Sequence, residues 1–325
     1  MQDYDPQQTL ETALIKLGYP STTVCQPVNV GYSGAALYRL LLPAGEALLK
    51  LATASGETVP MLRTRRELAF YRDLATQLPL RVPHILAMHE SADLVAFVMS
   101  SYRASPASAQ WPDTDYLEVA RQLGRFHAAF WAKTDQLAHL SWLNWYQQQD
   151  VSEDIQRAHT YWQALRDQPR FAAVFNPAND TLLRNLLAHI DTLPALLNAL
   201  PLTVCHGDCF THNILRDADG QLVWADWQEV RLARGPEDTA FFFQRAEAEG
   251  ATVPREAMIA AYHAALQEHT GAAIPLADIR RVMNTSELWV RVLYWPAYLV
   301  QASESALDAM LQRIQVLADA LALFN

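Results

Sequence analysis

The chain has 325 residues, a length that favours two lobes or one large domain. With 51% hydrophobic and 18% charged residues, its composition is that of a globular protein and excludes disorder for most of the chain. The formal charge of −10 lies almost wholly beyond Tyr102, with 26 acidic and 17 basic residues there against 9 and 8 before it, so the sequence lacks a basic footprint for nucleic acid and its acidic part suits cationic partners better.

The acidic start Met1-Gln2-Asp3-Tyr4-Asp5 is unlike a secretory signal. The longest charge-free run, Leu17 to Tyr38, is interrupted by Pro, Asn, Gln and Gly, so a cytoplasmic protein with no membrane span is expected. Leu10, Leu14 and Leu17 then mark a short helix stopped by Gly18-Tyr19-Pro20. Ala35 to Leu42 and Ala47 to Ala52, broken at Pro43-Ala44-Gly45, read as a hairpin. Thr64 to Leu78 is an amphipathic helix ended by Pro79, and Ile85 to Met88 and Leu94 to Met99 are short strands. After Tyr102 a Ser-, Ala- and Pro-rich stretch gives way to long helical patterns, which places a lobe boundary there: 1–102 and 103–325. Helices are expected at Asp115 to Lys133, Val151 to Asp167, Thr181 to Ala199, Pro254 to Thr270 and, with breaks, Ala277 to Phe324. Between the third and fourth lies a strand-like segment, Leu202 to Val230, in which Asp217-Ala218-Asp219-Gly220 turns a hairpin. The three cysteines, Cys25, Cys205 and Cys209, have no CxxC spacing, so free thiols are expected.

That segment carries the chemistry. It reads His206-Gly207-Asp208-Cys209-Phe210-Thr211-His212-Asn213, followed thirteen residues later by Asp226-Trp227. An Asp and an Asn five apart on one loop and a second Asp at the end of a hairpin strand can face a common point. Phosphoryl transfer would use them: one carboxylate positions a hydroxyl and takes its proton, while an amide and a carboxylate supply the hard oxygens that Mg²⁺ prefers.

These residues resemble the aminoglycoside phosphotransferase and choline kinase-like small-molecule kinases, relatives of the protein kinases. The resemblance implies a bilobal, protein kinase-like α+β fold, with a small antiparallel-sheet lobe, a larger helical lobe and ATP between them. By the same resemblance Asp208 is the catalytic base, Asn213 and Asp226 are magnesium ligands, and His206 braces the loop. Lys50 would bind the α- and β-phosphates, Glu67 would be its ion-pair partner, and Gly31, Ser33 and Gly34 would form the phosphate loop. That loop departs from the protein-kinase GxGxxG pattern in having only two glycines, so Ser33 would share the cradling of phosphate. Ser100 and Tyr102 would contact adenine from the hinge, Leu123-Gly124-Arg125-Phe126-His127 resembles the helix before the catalytic loop, and Asp238 resembles an acid that braces the core. The expected function is transfer of the γ-phosphoryl group of ATP to a hydroxyl of a small molecule, with amine-bearing alcohols among the compatible acceptors.

Other readings stay open on the residues alone. Asp208 and Asn213 are common turn residues, and a lysine at position 50 can guard a sheet edge. Cys205, His206, Cys209 and His212 have zinc-binding donors, although one tight loop closes a tetrahedron poorly. His127 reads as a buried, hydrogen-bonded histidine, and the aromatic residues from Trp289 to Tyr298 as core. A catalytically inactive nucleotide-binding module and a protein Ser/Thr kinase are the alternative functions. The first is disfavoured by the intact Lys50, Asp208, Asn213 and Asp226, the second by the lack of an Ala-Pro-Glu segment after Asp226.

Overall fold

Short runs of β-branched and apolar residues in the first third build a five-stranded antiparallel sheet, in the order β1-β2-β3-β5-β4: β1 Cys25–Pro27, β2 Ala36–Leu42, β3 Gly45–Thr53, β4 Ile85–Glu90 and β5 Leu94–Ser100. The computed structural model describes residues 5–28, 34–54, 58–148 and 150–324. Helix α1, Pro6–Lys16, capped by the Asp5 carboxylate, packs Leu10, Ala13 and Leu14 on one face of the sheet against Leu49, Leu51, Ala96 and Val98. Helix α2, Thr58–Asp73, covers the other face, where Leu68, Phe70 and Tyr71 meet Val95, Phe97 and Met99. Strand β5 is therefore buried on both sides, which is why it reads as an unbroken apolar run. The period-2 pleat also sends Lys50 to the α2 face while its neighbours Leu49 and Leu51 face α1.

The rest of the chain is mainly helical. Its long helices are α3 Asp113–Ala129, α4 Ser152–Arg166, α5 Pro177–Ala188, α6 Pro236–Ala248, α7 Arg255–Thr270, α8 Leu276–Leu293 and α9 Glu304–Ala320. Four short strands lie among them: β6 Thr203–Cys205 pairs with β9 Arg231–Ala233, and β7 Ile214–Arg216 with β8 Leu222–Trp224. Helices α3 and α7 cross at Gly124, where a Cβ would stand 2.7 Å from the Tyr262 carbonyl oxygen, so only a glycine lets the two backbones approach. A second apolar cluster, with Trp162, Leu183, Leu288, Leu311 and Ile314, joins α4, α5, α8 and α9. Among the described residues no helix is long and apolar enough to cross a membrane.

The α+β class and the antiparallel sheet agree with expectation; several boundaries do not. Helix α2 starts at Thr58 rather than Thr64, and α5 starts at Pro177 because Asn176 caps it with proline at the first turn. The expected helix to Ala199 breaks at His189, and the expected run from Ala277 breaks between Leu293 and Ser303, whose hydroxyl caps α9. Of the aromatic residues expected in the core, Trp289 and Trp295 pack on the second cluster, but Tyr294 and Tyr298 are 38% and 75% exposed.

Candidate active site

The site is assembled from both ends of the chain. The Lys50 ammonium, on β3, donates to Glu67 Oε2 on α2 at 2.5 Å and to Asp226 Oδ1, just after β8, at 2.7 Å. The Gln228 side-chain oxygen lies 3.5 Å away. Glu67 is fully buried, and burial pushes its carboxyl up to about 7, against the pull of Lys50. Burial alone would lower the Lys50 pKa, but the two carboxylates hold it above its usual value.

Asp226 itself has left-handed backbone angles, φ 61 and ψ 61. A non-glycine residue in that conformation is strained, and strain of this kind gathers at functional sites. Its neighbours hold it there. Trp227, fully buried, stacks on Phe70 of α2 with ring centroids 4.1 Å apart and donates from Nε1 to the Trp224 carbonyl. Arg66 of α2 donates to the Gln228 carbonyl at 2.7 Å and lies 3.7 Å from the centre of the Trp145 ring, and Arg63 pairs with Glu229 at 2.5 Å. The segment after Asp226 is thereby clamped to the helix that carries Glu67.

The loop between β6 and β7 carries Asp208. Asn213 Nδ2 donates to the Asp208 carbonyl at 2.8 Å and to its carboxylate Oδ2 at 3.0 Å, which leaves Asn213 Oδ1 without a partner among the described residues. The Ala225 N–H donates to the Asn213 carbonyl at 2.8 Å and so fastens this loop to the strand that ends in Asp226. His206 Nε2 donates to the Ala225 carbonyl at 3.0 Å, and Nδ1 accepts the Asp208 N–H at 3.3 Å, so its tautomer follows from its partners. Burial pushes the Asp208 carboxyl above the ordinary aspartate value and Asp226 adds to the rise, while His206, Asn213 and Arg245 pull the other way.

Asp238, near the start of α6, ties the loop to the helical core. Its Oδ2 accepts the His206 N–H at 2.7 Å and its Oδ1 the Gly207 N–H at 2.9 Å, while His127 Nε2 donates to Oδ2 from 3.2 Å and His127 Nδ1 meets the Tyr262 hydroxyl at 3.0 Å. Burial alone would raise the Asp238 carboxyl, but His127, His206 and Arg231 hold it below its usual value.

Gly34 sits where a Cβ would come within 2.6 Å of Pro60 at the start of α2. Gly31 and Ser33 lie outside the described residues. The Ser100 N–H donates to the His84 carbonyl at 2.9 Å, whereas the Tyr102 N–H and carbonyl have no backbone partner among the described residues. Reading the sequence missed Gln228, Arg66, Trp145, Phe210 and Arg245. Phe210, Gln228 and Arg66 lie one or two residues from Asp208, Asp226 and Glu67, which is a local signal; Trp145 and Arg245 reach the site through packing between distant segments.

A glutamate-held lysine, a strained aspartate facing it and an amide-clamped aspartate on the adjoining loop are thus brought together from distant parts of the chain. The sequence model described as "Phosphotransferase enzyme family" matches residues 24–276. No curated protein matches the chain in sequence. Among solved structures, a microcompartment-associated aminopropanol kinase is 14% identical with a TM-score of 0.59, covering 96% of this chain and 94% of that one. An aminoglycoside phosphotransferase from Alicyclobacillus acidocaldarius is 18% identical with a TM-score of 0.58, over 100% and 95% of the two chains. Ethanolamine kinase of Plasmodium vivax is 12% identical with a TM-score of 0.54, over 91% and 82%. At these identities the likeness is one of fold, and it agrees with the family match: this chain belongs to the phosphotransferase enzyme family.

Proposed function

We propose that, in the ATP-dependent transfer of phosphoryl groups to small-molecule hydroxyls that this family performs, Asp208 is the general base, Lys50 grips the α- and β-phosphates and Glu67 holds Lys50. The observation that carries this reading is the bond from Lys50 of the N-terminal sheet to Asp226, 176 residues away. It joins the lysine of the N-terminal sheet to the segment that follows the Asp208 loop; in this reading the chain divides into lobes at Tyr102, the Ser100–Tyr102 backbone would meet adenine, and Gly31, Ser33 and Gly34 would line the phosphates.

Asp208 takes the proton of the acceptor hydroxyl as its oxygen bonds to the γ-phosphorus; the bond from that phosphorus to the β–γ bridging oxygen breaks, and ADP leaves with the electron pair. Asn213 orients the Asp208 carboxylate, and His206 and Asp238 brace the loop through its backbone. The oxygen donors present, Asn213 Oδ1 and the Asp226 carboxylate, suit a hard cation, so these two residues would hold Mg²⁺, which when bound neutralises phosphate charge. The named substrates of the aminopropanol and ethanolamine kinases carry an amine beside a hydroxyl, which supports an amine-bearing alcohol as acceptor here. A location in the cytoplasm fits the ATP requirement.

Asp208→Asn tests the reading. Turnover should fall by about 10²–10⁴-fold, the usual contribution of a general base, with the MgATP Kd within about twofold of wild type. Wild-type turnover in that variant would remove Asp208 from the chemistry.

A further inference from the structure

Arg245 on α6 is half-buried beside the catalytic loop. Its guanidinium carbon lies 4.8 Å from the centre of the Phe210 ring, two residues from Asp208, and its charge pulls on the Asp208 carboxyl. The guanidinium makes no ion pair or hydrogen bond among the described residues. Acids on α6 and on the helices around it are committed elsewhere. Glu249, which caps the C-terminal end of α6, takes hydroxyl donors from Ser108 and Thr211 and faces His212 at 3.6 Å. Glu247 and Glu287 pair with Arg255, Asp154 with Arg157, and Glu237 accepts the Arg234 N–H.

An arginine seated over an aromatic ring has part of its freedom removed, and its planar fork of donors recognises anions through paired hydrogen bonds. Set against the loop that bears the general base, it is placed to hold a group on the molecule whose hydroxyl Asp208 engages. We propose that the acceptor carries an anionic group, a carboxylate or a phosphate, beside its hydroxyl, and that Arg245 over Phe210 is the residue that selects it. This rests on the kinase reading of Asp208 and names its substrate class: hydroxyl compounds bearing an anion, with hydroxy amino acids joining that anion to an amine.

Matched acceptors that differ only in the anion decide it. Serine against ethanolamine and homoserine against 3-aminopropanol test a carboxylate, and glycerol 3-phosphate against glycerol tests a phosphate. Kinetics are measured for wild type, Arg245→Gln and Arg245→Lys, with the MgATP Kd taken on the same samples by calorimetry. In at least one pair, wild type should favour the anionic member by about tenfold or more in kcat/KM, the scale of a hydrogen bond to a charged group. Arg245→Gln should bring that ratio close to one through KM, Arg245→Lys should restore part of it, and the MgATP Kd should not move. If Arg245 only tunes Asp208, both members of each pair fall together and the ratio survives, which overturns the proposal. So does a wild type that favours the neutral members or uses no anionic one. A protein that binds no MgATP overturns the kinase reading itself, so the two failures are separable.

Discussion

Gly207, between His206 and Asp208, tests how firmly the Asp208 loop is set. Its φ is +83, and a Cβ there would stand 2.1 Å from the Glu229 carbonyl oxygen and 2.8 Å from Arg231 Nη1. Gly220 is the internal control: its φ is +80, and nothing lies within 4 Å of a Cβ. Gly220→Ala therefore meets only the left-handed backbone penalty, about 1–2 kcal/mol. Gly207→Ala meets the same penalty plus an overlap that only backbone movement relieves, a further ~1–3 kcal/mol. At about 2.1 cal/mol/K per residue, 325 residues have an unfolding entropy near 0.7 kcal/mol/K. The control should then lose roughly 1.5–3 °C of Tm and Gly207→Ala roughly 3–7 °C. The distinctive effect is on turnover, because the loop can move away from Glu229 only by shifting the Asp208 backbone. A displacement of about 1 Å at a catalytic group lowers turnover by about 10²-fold. Differential scanning fluorimetry and initial-rate kinetics on both variants give the comparison; if Gly207→Ala melts and turns over like Gly220→Ala, the close packing of the loop on Glu229 is wrong.

Three further outcomes are expected. Lys50→Met should reduce turnover more than Glu67→Gln, because in the proposed function Lys50 grips phosphate and Glu67 only holds Lys50. Lys50→Met also strands the buried Glu67 carboxylate, at a cost of about 3–5 kcal/mol, so adding Glu67→Gln to it should recover stability in urea titrations without recovering activity; a double variant no more stable than Lys50→Met would refute this. Glu287, 2% exposed in its side chain, is held by Arg255, Arg291 and Arg313 at 2.8, 2.8 and 2.6 Å. Burial alone would raise its carboxyl, but the arginines hold it well below the ordinary 4.5. A depressed folded-state pKa gives stability that is complete above the unfolded value and drains away as pH falls below about 4.5. Urea midpoints from pH 6 to 3 should therefore fall less steeply in Glu287→Gln than in wild type, and equal slopes would contradict this role for the arginine cluster.

Local chemistry made much of this protein legible in its sequence. The two-residue period around Lys50, the apolar run of β5 and the Asp217–Gly220 turn depend on neighbours within a few residues, while the spacing of Asp208, Asn213 and Asp226 and the order in which Lys50, Glu67 and the loop arrive are read directly along the chain. Helix ends were less legible where a cap decided them, as at Asn176 and Ser303, because one side-chain hydrogen bond outweighs a weak periodicity. What only the tertiary structure decided depends on pairs far apart in the chain: the Lys50–Asp226 bond, Arg66 over Trp145, Trp227 under Phe70, and Glu287 among three arginines. The acids beyond Tyr102 show the difference most clearly. Counted along the chain they favour a cation, but once folded several of them, Asp115, Glu229 and Glu287 among them, pair with arginines, and the guanidinium beside the Asp208 loop, that of Arg245, has no ion-pair partner among the described residues, because a charge count records sign while packing decides which charges are already neutralised.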